Sequence, residues 1–178
     1  MLRIITLYGV IGGLIVGIPM VVQMVFLTGH LPLSYGYIIG YTTMLIALST
    51  VFVAIKRHRD IDRGGVIGFW PALGLGLGIS FVASIFYVLS WELSMAVTHM
   101  DFAGDYTRLM IAHEKAKGVS GAALAKFTAD MEAFKIQYAN PLYRMAMTST
   151  EILPVGVLVS VVSAGLLCNS RFLPARRS

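Results

Sequence analysis

Val66–Trp91, VIGFWPALGLGLGISFVASIFYVLSW, runs for 26 residues without an Asp, Glu, Lys or Arg. Coiled as one α-helix it spans about 39 Å, more than the roughly 30 Å hydrocarbon core of a bilayer. Three further stretches share its lack of charge: Ile4–Leu27, Leu33–Ile55 and Ile152–Cys168. The last has 17 residues, at the lower bound for a crossing, and reaches further if Thr148–Thr150 lie in the interface. The pattern predicts an all-α polytopic membrane protein with four transmembrane helices.

Composition closes off the other classes. Hydrophobic residues make up 57% of the 178-residue chain and charged residues 13%, with a mean hydropathy of +0.77. A soluble chain of this size buries only about two-thirds of its surface, so it could not hide four wholly apolar helices. Membrane β-strands run to about ten alternating residues, which these stretches exceed without alternating. The net charge of +5 sits mostly beside the apolar stretches, where orientation in the bilayer accounts for it without nucleic acid. Cys168 is the only cysteine, so no intramolecular disulfide is available.

The charged links set an expected orientation. Lys56-Arg57-His58-Arg59-Asp60-Ile61-Asp62-Arg63 puts four firm positive charges, Lys56, Arg57, Arg59 and Arg63, into one short loop. Such a loop stays cytoplasmic and can rest against anionic headgroups. Arg3, Arg171, Arg176 and Arg177 fall on the same side, whereas the first loop, Thr28–Pro32, carries only His30. Glu92–Glu151 has six basic and seven acidic residues, so nothing retains it inside. The expectation is N-in and C-in, with the first crossing a signal anchor.

Asp101–Pro141 is polar yet patterned. Phe102, Tyr106, Leu109, His113 and Ala116 recur at helical spacing up to a stop at Gly118. Ser120 can cap a second helix carrying Leu124, Phe127, Met131, Phe134 and Tyr138, ended by Asn140-Pro141. The reading is an extramembrane helical hairpin, residues 93–148, inserted between helices three and four of a single membrane domain, 1–178. Asn140 and Pro141 would begin a short interfacial helix, with Thr148 or Thr150 capping the fourth crossing.

Candidate functional positions are sparse. Gly9, Gly13 and Gly17 share one helix face, and Gly74 and Gly78 lie in the third crossing. Glycine allows close helix approach in lipid, either within the chain or across a homodimer. Pro19 should bend the first crossing, while Pro71 and Pro154 come early in theirs. Gln23 is the only amide within a crossing. Glu92 and Glu151 flank crossings three and four at the interface, where Arg144 could bridge one of them and Tyr87 and Trp91 form an aromatic belt. His30, His58, His99 and His113 lack ligand-spaced companions, and no phosphate loop or nucleophile elbow occurs. The chain reads as a structural, accessory or partner-binding membrane protein, a non-enzyme without a cofactor, its partners membrane lipids and either a second copy or another membrane protein. The alternative is a small oligomeric transporter, channel-like or lipid-handling protein.

Ordered motifs along the chain resemble the bacterial DUF4199 family. They are Tyr8-Gly9, Gly40-Tyr41, Ala54-Ile55-Lys56-Arg57-His58-Arg59-Asp60, Gly64-Gly65-Val66-Ile67-Gly68-Phe69, Ala72-Leu73, Tyr87-Val88-Leu89 with Trp91, Tyr138-Ala139-Asn140-Pro141 and Thr150-Glu151-Ile152-Leu153-Pro154-Val155-Gly156. Gly68 departs from the Thr-like residue common there. The resemblance implies a bacterial inner-membrane protein and supplies no catalytic residue.

Overall fold

A computed structural model describes residues 1–27 and 33–174, with positions 27 and 33–37 described for their backbone alone. The described residues form six α-helices: α1 Leu2–Val22, α2 Leu33–Arg57, α3 Phe69–Thr98, α4 Phe102–Ala116, α5 Gly121–Tyr138 and α6 Pro141–Leu167. Single π-helical turns follow α1 at Gln23–Leu27 and α2 at His58–Asp62. The Thr28–Pro32 loop with His30, and Arg176 and Arg177 of the tail, lie outside the described residues. Four helices, along Leu2–Phe26, Ile38–Asp62, Phe69–Thr98 and Pro141–Leu167, are long and apolar enough to cross a membrane. The chain is a multi-pass membrane protein.

The long helices run past the expected boundaries. α3 begins at Phe69, with Pro71 in the first turn where its missing N–H costs nothing, and passes through Trp91 and Glu92 to Thr98. His99 closes it in the left-handed region at φ 50°, its N–H donating to the Met95 carbonyl. α6 corrects the expected fourth crossing. It has no separate interfacial helix and runs unbroken from Pro141. Asn140 caps it by accepting from the Leu142 N–H at 2.9 Å. Thr148 and Thr150 cap nothing; their hydroxyls donate to the Arg144 and Met147 carbonyls inside the same helix. The segment between α3 and α6 is therefore 99–140. Pro19 lies within α1, which passes into its π turn four residues later.

Small residues set how the long helices meet. Along α1 and α3, Ile5 meets Gly78, Gly9 meets Val82, Gly13 meets Phe86 and Gly17 meets Ser90. Both series advance in steps of four in the same sense, so the helices run parallel. A Cβ at Gly9 or Gly13 would fall 2.5 Å from the Cβ of Val82 or Phe86. Between α3 and α6 the pairs are Gly76 with Ser160, Ser80 with Gly156, Tyr87 with Glu151 and Glu92 with Arg144, which makes these helices antiparallel. α2 packs on α1, α3 and α6, and Val16, Leu48, Val51, Leu75, Ile79 and Ile152 fill the centre. Gly74 is the exception among the predicted packing glycines. A Cβ there meets nothing within 4 Å, and Gly76 makes the close approach to α6 instead.

These directions bring Arg3, the basic π turn and Arg171 to one end of the bundle, and α4 and α5 to the other. Asp101 caps α4 by accepting from the Gly104 N–H at 3.0 Å, and Gly118, at φ 87°, ends the turn after it. Ser120 stands at the N-cap of α5 but makes no side-chain capping bond.

Candidate functional site

The α4–α5 end carries the densest set of polar and aromatic contacts between separate helices. α3 brings Tyr87, Trp91 and Glu92 to this end, and α6 brings Arg144 and Glu151 back to meet them. Arg144 Nε donates to Glu92 Oε1 at 2.7 Å and Nη2 donates to Oε2, a two-pronged match that guanidinium geometry favours. Both side chains are largely enclosed. The same guanidinium donates from Nη1 to the Tyr138 carbonyl and lies 5.8 Å from the Tyr138 ring centre.

Tyr138, the last residue of α5, is the hub. Trp91 Nε1–H donates to its hydroxyl at 2.8 Å, and its ring packs against Phe102 and Phe134. Phe102 in turn meets Trp91 edge-on at 5.0 Å and stacks with Tyr106, which reaches Phe134. Burial pushes the Tyr138 phenol up to about 12, so it stays a neutral acceptor for Trp91 at ordinary pH. The cluster ties α4 and α5 both to each other and to α3 and α6. Thr107 adds a further tie, its hydroxyl donating to the Met131 carbonyl of α5.

Deeper in the same α3–α6 seam, Tyr87 donates to Glu151 Oε2 at 2.7 Å. Tyr87 is only 8% exposed, so it points into the bundle rather than forming a lipid-facing belt. Glu151 is exposed on α6. At mid-depth Ser80 and Ser160 lie 3.2 Å apart, and both hydroxyls bond the Gly156 carbonyl, so the buried polar atoms are satisfied by the helices themselves.

The basic end is organised differently from its sequence reading. Arg59 is fully enclosed rather than facing headgroups. Its Nε meets Asp60 at 2.7 Å, and its terminal nitrogens donate to the carbonyls of Leu167, Phe172 and Leu173. Arg59 thus closes the C-terminal end of α6, whose last carbonyls lack helical partners, and Leu173 takes the left-handed region at φ 47°. Lys56 pairs with Asp60, while Arg57 and Arg63 remain exposed. His58 is buried with Nδ1 2.7 Å from Asp62, and its Nε2 finds no hydrogen-bond partner among the described residues. Gln23 begins the π turn after α1, half-buried, its N–H reaching the Pro19 and Met20 carbonyls. Among the described residues no group of three His, Cys, Asp or Glu side chains is placed to hold a metal ion.

The family described as "Protein of unknown function (DUF4199)" matches residues 7–169, from the second turn of α1 to just past the end of α6. The chain belongs to the DUF4199 family. That match takes in both glycine seams, the basic π turn and the Tyr138 hub. DUF4199 occurs in bacterial membrane proteins, in accord with the four apolar helices. Neither a curated protein nor a solved structure matches the chain.

Trp91, Tyr138 and Tyr87 are the participants that spacing alone did not assign to the cluster. The signal was chemical: a Tyr or Trp carries a polar tip that seeks a partner once its ring is buried.

Proposed function

We propose that this DUF4199 protein is a non-catalytic accessory protein of the bacterial inner membrane, N-in and C-in, whose α4–α5 pair forms a helical hairpin outside the bilayer for a membrane-protein partner. Residues 1–178 act as one membrane domain, with the hairpin as its outer insertion. Four observations support the reading. Lys56, Arg57, Arg59 and Arg63 share an end with Arg3 and Arg171, as the positive-inside rule requires of cytoplasmic segments. α4 and α5 lie at the other end, and their charges nearly cancel. The glycine seams close the bundle on itself, and its centre is filled by apolar side chains and self-satisfied serines, which favours an accessory role over passage of a solute. Leu109 on α4 and Ile136 on α5 remain exposed.

The observation that carries the proposal is the docking of the hairpin. A loop needed only to join two crossings has no use for an indole–phenol bond, an arginine bond to the Tyr138 carbonyl and a five-ring cluster fixing it to α3 and α6. Such contacts hold a surface in one orientation, which is what a recognition element needs. Photo-activatable residues at Leu109 and Ile136 in native membranes provide the test. One recurrent adduct from both positions, lost in Arg144→Ala, is expected, and its mass separates a second copy from a different protein. Only uncross-linked monomer at both positions contradicts the proposal.

A further inference from the structure

We propose that Glu151 is a receptor for the primary ammonium of a lipid headgroup, that of a phosphatidylethanolamine in the leaflet on the α4–α5 side. The inference needs only that α3 and α6 cross the membrane, and it holds for either orientation.

Depth is the first argument. Glu151 stands 16 residues before Leu167, the end of α6, or about 24 Å along the helix, and Tyr87 stands 18 residues after the start of α3, about 27 Å. Against a hydrocarbon core of roughly 30 Å, both lie just inside the boundary with the headgroups. Glu92 and Arg144 are a turn or more further out.

Charge is the second. Glu92, nearer water, is neutralised by Arg144, whereas Glu151 has no ion-pair partner among the described residues. Tyr87 donates one hydrogen bond to Oε2 from its buried position and so aims the carboxylate, leaving Oε1 without a donor among the described residues. A carboxylate at this depth is costly unless a cation reaches it. A zwitterionic lipid with an N–H-bearing ammonium brings that cation to the right level, and an anionic headgroup without an amine does not.

The surroundings supply the third. Met147, Glu151, Pro154 and Leu158 form one exposed stripe on α6, so the carboxylate heads an apolar track that acyl chains can lie along. The headgroup and the tails of one lipid would thus meet complementary surfaces on the same helix.

The test uses the full-length protein released from nanodiscs and analysed by native mass spectrometry, with phosphatidylethanolamine, phosphatidylglycerol or N-trimethylated phosphatidylcholine as the probe. Wild type should retain phosphatidylethanolamine over both others, and Glu151→Gln should lose that retention by about tenfold, the value of one charge-assisted hydrogen bond. Glu151→Gln keeps a carbonyl oxygen for Tyr87, and an unchanged melting temperature shows that the fold is intact. Should that variant melt early, Tyr87→Phe, which leaves the carboxylate but not its aim, serves in its place and should weaken the preference. Soluble glycerophosphoethanolamine should not compete, since it lacks the acyl chains. Equal retention of the lipids by wild type, or undiminished phosphatidylethanolamine retention in both variants, would overturn the assignment to an ammonium. Competition by the soluble headgroup would overturn the assignment to a lipid.

Discussion

Glu92 and Arg144, 52 residues apart, join α3 to α6 through two parallel hydrogen bonds just beyond the apolar part of both helices. The pair does more than neutralise two charges. Arg144 also bonds the Tyr138 carbonyl, so the ends of α3, α5 and α6 are fixed by one guanidinium.

Arg144→Ala should therefore loosen α4 and α5 more than the long helices. Removing one partner of an enclosed pair costs about 2–3 kcal/mol at this partly exposed position. Limited proteolysis in mild detergent should show faster cutting between residues 99 and 140, while the four long helices stay protected. The exchanged pair Glu92→Arg with Arg144→Glu should recover part of the loss. Uniform protection in Arg144→Ala would show that the aromatic cluster holds α4 and α5 without the ion pair.

The glycines separate into two classes that substitution can distinguish. Gly13→Ala places a methyl against Phe86, and the strain should cost about 1–3 kcal/mol in a thermal or denaturant melt. Gly74→Ala meets open space and should change stability by less than about 0.5 kcal/mol. Equal effects at the two positions would mean that the α1–α3 seam is not the contact described.

How far the fold could be read follows from the kind of signal. The four crossings were legible because absence of charge over 17 to 26 residues is a one-dimensional property. The start of α6 was not, because Arg144 and Glu151 look like loop residues until Glu92 and Tyr87, from a helix more than 50 residues away, satisfy them. Gly74, Gly76 and Gly78 alternate, so the sequence could not say which faces a neighbour; Gly76 meets α6, Gly78 meets α1 and Gly74 meets neither. Arg59 looked like Lys56, Arg57 and Arg63 in the string, and only its burial against the end of α6 sets it apart.

Arg59 offers a separate prediction. Its fork spans carbonyls of Leu167, Phe172 and Leu173, a geometry the single ammonium of lysine cannot reproduce. Both Arg59→Lys and Arg59→Ala should free the segment after α6, so that trypsin cuts after the exposed Arg171 several times faster in detergent, with Arg59→Ala the faster of the two. Unchanged cutting in both would show that the segment is held by Phe52 and Phe172 packing instead.

The central claim is that the basic π turn and the α4–α5 pair lie on opposite sides of the membrane, the first inside and the second outside. Single cysteines at Val66 and Lys117, in a Cys168→Ser background, test it most directly. Val66 is exposed and follows the glycines at φ 63° and 90°, where a cysteine itself would be strained, and Lys117 is exposed at the end of α4. With the outer membrane permeabilised, an impermeant thiol reagent should label Lys117→Cys in whole cells and leave Val66→Cys untouched until the inner membrane is broken. Labelling of both positions from the same side would contradict the account, because α3 could then not cross between them.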